Sequence, residues 1–183
     1  MRAASRQAPD DISPPDLARM SVETFVRHGR FLLPPAAPQG VLSERAGAFV
    51  TLRTVENDLR GCIGTIEPAR ASLAEEVIQN AISAATRDPR FAPVSIHELS
   101  VLTYGVDVLS QLEEAGGPQD LDPALYGVII ESLDGGVRAV LLPRIQGIET
   151  VEHQWSAVHQ KAGIALDTPV RVQRFTVQRF GKD

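Results

Sequence analysis

Six consecutive residues, Leu59-Arg-Gly-Cys-Ile-Gly64, hold the chain's one thiol, a guanidinium two positions before it and two glycines. In an extended strand, side chains alternate between faces, so Arg60, Cys62 and Gly64 point one way and Leu59, Gly61 and Ile63 the other. The guanidinium then stands about 6.5 Å from the thiol along the backbone, by strand rise. A fixed positive charge nearby favours thiolate over thiol, and the thiolate is the nucleophile. Gly61 and Gly64 leave room for a ligand or another backbone to approach. If Asn57 and Asp58 are the central residues of the preceding turn, Arg53 stands opposite Cys62 and adds a second positive charge. The same pattern also suits a small buried hydrophobe, with the glycines serving a bend. The residues alone leave the catalytic and structural readings of Cys62 open.

A second chemistry-bearing segment is Asp88-Pro-Arg-Phe91, just past a predicted helix. In a functional reading, Arg90 contacts an anion and Asp88 serves as acid, base or orienter. In a structural reading, Asp88 bonds local amides and Arg90 the last carbonyls of the helix. Glu98 after His97 is either an acid/base pair or a solvated loop pair. Arg53, Arg60 and Arg90 are of the type that suits carboxylate or phosphate, because a planar fork donates two parallel hydrogen bonds. Lys161 reads as a charge at a helix end. His153 and His159 lie six apart, on different helix faces, so no paired-histidine zinc motif exists. No metal and no cofactor is expected. No phosphate-binding glycine loop and no nucleophile elbow appears.

The elements that must position these residues follow from periodicity and punctuation. Residues 1–13 read as a disordered tail. Ser13 caps a helix that opens at Pro14-Pro15 and stops at Gly29. The proline-rich stretch 31–40 is a loop or arm. Residues 46–66 form a β-hairpin around Glu56-Asn57-Asp58. Ser72 and Glu75 make a capping box for a helix over 72–86, ended before Pro89. A strand covers 101–109 and a loop 111–123. A second hairpin pairs 126–130 with 137–142 around Asp134-Gly-Gly136. A helix over 150–162 ends at Gly163, and a last strand runs 170–177. Hairpins dominate, which predicts an α+β fold with mixed or antiparallel sheets and flanking helices.

The chain has 183 residues, 43% of them hydrophobic and 22% charged, which is ordinary globular usage. Lys and Arg number 18 against 23 Asp and Glu, a net charge of -5 that argues against a nucleic-acid binder. One cysteine permits no intrachain disulfide, and a reducing, cytoplasmic setting is expected. No run approaches the roughly 20 apolar residues that cross a bilayer, so no membrane role is expected. The first ten residues lack the apolar core of a secretory signal.

Leu59–Gly64 resembles the signature hexapeptide of the AMMECR domain family, known in prokaryotes as the A protein of the AmmeMemoRadiSam system. The likeness continues through Phe49–Leu52, Ala84-Ala85, Asp88–Phe91, Pro93, Glu98-Leu99, Val106–Ser110, Gly127, Leu141–Pro143 and Lys161–Gly163, covering roughly residues 17–178. It departs at Arg144, where glutamine is usual, and over Ile145–Thr150. The resemblance implies one AMMECR-like domain over 14–183, with a larger and a smaller subdomain and the hexapeptide near the cleft between them. It also implies a Memo-like protein and a radical SAM protein as partners. Two functions follow. In one, the chain is an enzyme or enzyme component, with Cys62 as nucleophile, proton donor or covalent carrier. Arg60, Gly61, Gly64 and Arg53 bind a small anionic substrate there, and Asp88, Arg90 and Glu98 form the opposite wall. In the other, the chain is a non-catalytic module that docks a partner protein through the same cleft.

Overall fold

Ser13, Ser72 and Thr150 each turn the chain into a helix by lending a side-chain oxygen to the amide three residues on, at 3.3, 3.4 and 3.2 Å. The helices are α1 (Pro14–His28), α2 (Leu73–Thr86) and α3 (Val151–Ala162). Gly29 and Gly163 stop α1 and α3 in left-handed backbone. These features belong to a computed structural model that describes residues 6–181. Eight strands complete it: β1 (Ala48–Arg53), β2 (Leu59–Thr65), β3 (Thr103–Leu109), β4 (Glu113–Ala115), β5 (Gly127–Ser132), β6 (Arg138–Leu141), β7 (Val170–Phe175) and β8 (Val177–Phe180). The fold is α+β, as expected, and the strand pairs with an assigned register are antiparallel.

The chain divides into two compact units, Met1–Val108 with Arg179–Asp183 and Leu109–Gln178. The first is organised by a sheet in the order β2-β1-β3-β8. Along β1, Ala48, Val50 and Leu52 are buried, while Phe49, Thr51 and Arg53 take the opposite face. The buried row joins Leu17 and Val22 of α1, Val77 and Ala81 of α2, and Val106 of β3 in one core. The second unit has the sheet β4-β7-β5-β6 with α3 beside it, and a core of Val128, Ile130, Leu141, Val158 and Val172. Here Lys161 reaches past its helix end, and its ammonium donates to the Val140 carbonyl at 2.9 Å. The atypical Arg144 takes a left-handed backbone, φ 58°, with its amide and guanidinium on the Pro123 and Ala124 carbonyls.

Four expectations need correction. Residues 6–13 are not a free tail. Leu33 donates to the Arg6 carbonyl, Ala8 donates to the Leu33 carbonyl, and Ala8 is buried. Residues 1–5 of that expectation lie outside the described residues. The 111–123 loop contains β4 and a short 3-10 turn at Pro118–Asp120. The strand expected over 170–177 is two strands in different sheets, parted at Thr176, which exchanges hydrogen bonds with Ser110. The apolar alternation slips by one residue between Val172 and Phe175, just before the break. The fourth correction is the register of the first hairpin. Asn57 adopts φ 70°, its amide donates to the Thr54 carbonyl at 3.1 Å, and the Thr54 amide donates to the Asp58 carbonyl at 2.9 Å. The turn is therefore longer than two residues. Thr51, not Arg53, stands opposite Cys62, and Arg53 stands opposite Leu59. The pairing then steps from Leu59 to Gly61, leaving Arg60 as a bulge without a partner in β1.

Candidate functional site

β2 is the outermost strand of its sheet, with β1 on one side. The amide of Cys62 points to the other side and donates to Asp88 Oδ2 at 2.8 Å. Asp88 sits two residues past the end of α2, and its side chain is only 2% exposed. Its Oδ1 also accepts from the amide and Nε of Arg90, and its Oδ2 from Arg90 Nη2 at 2.7 Å. The guanidinium of Arg90 is the main reason the Asp88 carboxyl lies well below the usual carboxylate range; burial opposes it and the Cys62 amide adds to it. Asp88 thus accepts from one local amide, that of Arg90, and from the distant amide of Cys62, while Arg90 binds Asp88 rather than the helix carbonyls.

Ten residues further on, a second carboxylate grips the same strand. Arg60 Nε donates to Glu98 Oε1 at 2.6 Å and Nη2 to Oε2 at 3.3 Å. Glu98 Oε2 also accepts from the Ser95 amide. The Arg60 hydrogen bond is the main cause that brings the Glu98 carboxyl down to about 2, against burial. Glu98 is therefore the partner of Arg60, and not of His97. The ring of Phe91 lies 5.8 Å from the Arg60 guanidinium carbon and 5.5 Å from that of Arg90. Residues 88–98 are in this way a strap fastened to the edge of β2 by two carboxylates and one aromatic ring.

Cys62 is half-buried, and the hydroxyl of Thr51 donates to its sulfur at 3.3 Å. Burial pushes the thiol up. The Thr51 hydroxyl and Arg90 pull it back, while Asp107 and Asp88 push it further up. This corrects the expectation of a thiolate stabilised by Arg60 and Arg53. Arg60 is held by Glu98, and Arg53 donates to the Asn57 carbonyl in the turn.

The two glycines have separate duties. A Cβ at Gly61 would stand 3.1 Å from the carbonyl carbon of Ala84 and closer still to its oxygen, so this glycine lets α2 lie against β2. It faces the core and not a ligand. A Cβ at Gly64 would run into the ring of Phe49 and, at 2.6 Å, the Ala48 carbonyl oxygen.

The fold thus gathers Arg60, Cys62, Asp88, Arg90 and Glu98, sets Gly61 behind them and Gly64 beside them, and sends Arg53 to the turn. Asp88 and Glu98 bond the hexapeptide itself and Arg90 is held by Asp88, so the three do not form a facing wall. Three contributors were missed by sequence reasoning. Thr51 is visible only once the register is known. Asp107 binds Arg179 at 2.7 Å across 72 residues, a pairing no local pattern marks. Glu76 is buried, accepts from Thr65 and from the amides of Ala69 and Arg70, and so moors the loop between β2 and α2. Its place on the apolar face of α2 was the available signal. Among the described residues, no cluster of three His, Cys, Asp or Glu side chains could hold a metal ion, and no helix is long and apolar enough to cross a membrane.

Comparison with known proteins sets this geometry in a family. The sequence profile of the AMMECR1 family matches residues 15–180. A protein of Thermotoga maritima is 46% identical over 161 residues, covering 87% of this chain and 91% of its own. One of Methanothermobacter thermautotrophicus is 38% identical over 182 residues, covering 91% of each. The crystal structure of the uncharacterized protein PH0010 of Pyrococcus horikoshii superposes with a TM-score of 0.84 at 31% identity, over 93% of this chain and 90% of that one.

Proposed function

The chain belongs to the AMMECR1 family, and from that premise we propose that it is a binding module that docks a partner protein at the Cys62 strand. The family resemblance suggests a Memo-like protein, working alongside a radical SAM protein, as that partner. The observation that carries the reading is the neutrality of the site. Arg60 is bound by Glu98 and Arg90 by Asp88, so neither guanidinium stands ready for a substrate anion, and burial pushes the Cys62 thiol up. A nucleophilic site needs the reverse arrangement, with cations free to hold a thiolate. What remains is a strand edge whose charges are paired among themselves, which suits recognition.

A second reading has one observation in its favour. The sulfur accepts from Thr51 and is half-exposed, so its own proton is available. In an enzyme component, Cys62 would then act as a proton donor and not as a nucleophile.

Sedimentation of the chain with a purified Memo-like protein, together with iodoacetamide modification of Cys62 across pH, tests the proposal. A stable complex, and a labelling midpoint at or above the ordinary thiol value of about 8.5, are expected. The binding-module reading is overturned by a midpoint well below that value, or by metabolite turnover in the mixture that Cys62→Ser abolishes.

A further inference from the structure

Resting on the binding-module reading, we infer that the partner contributes an extended peptide segment that adds as a strand to the open edge of β2 over Cys62–Thr65. The parity of β2 shows which main-chain groups face outward. The Cys62 amide bonds Asp88 and not β1, so position 62 faces out, and in a strand position 64 does too. At Cys62 the Asp88 oxygen, 2.8 Å from the amide nitrogen, stands where the carbonyl of a neighbouring strand would stand. At Gly64 no such stand-in exists: among the described residues, neither a loop nor a side chain bonds its amide or its carbonyl. Strand edges are normally covered, charged or bulged. Here the bulge at Arg60 and the strap close the edge up to Cys62 and stop.

The chemistry of the occupant follows from the groups left open. The Cys62 carbonyl, and the amide and carbonyl of Gly64 about 6.6 Å further along the strand, are matched by another extended main chain, while the Cys62 amide stays with Asp88. A carboxylate or phosphate offers acceptors alone. The side chains at the outward positions are a thiol and a hydrogen, so an incoming strand meets no bulk, and the Phe49 ring over Gly64 gives it an apolar neighbour. The strap confines the strand to the stretch from Cys62 onward.

Amide hydrogen exchange on the full chain, alone and with a saturating Memo-like protein, reads the inference at single residues. Alone, the Gly64 amide should exchange faster than those of Ile63 and Thr65, which face β1. If a complex forms and the Gly64 amide slows at least tenfold, the strand addition stands. If a complex forms and Gly64 is unchanged, the inference is overturned while the binding-module reading survives. If no complex forms, that partner fails, and a peptide probe decides alone. The probe is an acetylated, amidated copy of residues 47–54, the strand that already pairs with the other side of β2. Saturable shifts of the Gly64 amide by this peptide, absent with an analogue N-methylated at alternate residues, support the inference. No shift, or equal shifts by both peptides, overturns it.

Discussion

Replacing Gly61 by alanine tests whether this glycine serves the helix behind the hexapeptide or a ligand in front of it. The added methyl would lie 3.1 Å from the Ala84 carbonyl carbon and nearer to the oxygen, both of them helix backbone that cannot rotate away. Ordinary contact between such atoms is about 3.5–4.0 Å, so α2 must retreat from β2 by roughly 1 Å. The buried side chains of α2, Val77, Ala81, Ala84 and Ala85 among them, move with it. Overpacking of this kind costs about 1–3 kcal/mol, and in a unit of this size each kcal/mol lowers the melting temperature by roughly 4–8 °C. A drop of roughly 5–20 °C is therefore expected, against changes within about 0.5 kcal/mol for Glu56→Ala and Asp58→Ala on the exposed turn. The retreat should also loosen the Asp88 contact, because Asp88 follows the same helix by two residues, and so speed exchange of the Cys62 amide. Thermal melts by circular dichroism and amide exchange by NMR read the two effects. A Gly61→Ala protein that melts with the two controls, with Cys62 exchange unchanged, would refute the close-approach argument.

Three further outcomes are expected. Glu76→Ala leaves the Thr65 hydroxyl and two loop amides without their acceptor, each worth about 1–3 kcal/mol when buried, so urea unfolding should shift to clearly lower midpoint; Glu76→Gln, which keeps one carbonyl oxygen, should lose less. Asp88 and Glu98 both have carboxyls held below their ordinary values. Their contribution is therefore complete above the unfolded carboxylate pKa of about 4 and is lost as pH falls through the folded values, about 2 for Glu98. Unfolding free energy measured from pH 5 downward should decline over that window, and Asp88→Asn with Glu98→Gln should flatten the decline; an unchanged slope would remove the strap's carboxylates from the account. Thr51→Val withdraws the hydroxyl that donates to the Cys62 sulfur, so the labelling midpoint should rise above that of the parent while Thr51→Ser restores it; equal midpoints for all three would show that the contact does not act on the thiol.

Local chemistry determined the elements of this protein. Ser13 and Ser72 as caps, Gly29 and Gly163 as stops, apolar spacing along 73–85 and turn residues at 56–58 and 134–136 depend on a few neighbouring residues, and the same residues form the elements in the fold. The hexapeptide and the Asp88–Phe91 segment were likewise visible as the places that carry chemistry, and they meet. What these residues do there was decided by tertiary structure. A left-handed Asn57 lengthened the turn, and this exchanged Arg53 for Thr51 opposite the thiol. A bulge freed Arg60 from strand alternation and let it reach Glu98, 38 residues on. Charge acts through space, so Glu98, distant in sequence, neutralised Arg60, while the Asn57 carbonyl took Arg53; these are the two arginines that proximity in sequence had assigned to the thiol. Burial then set the sign of the shift at Cys62, and burial is a property of everything packed around a residue, which no spacing along the chain contains.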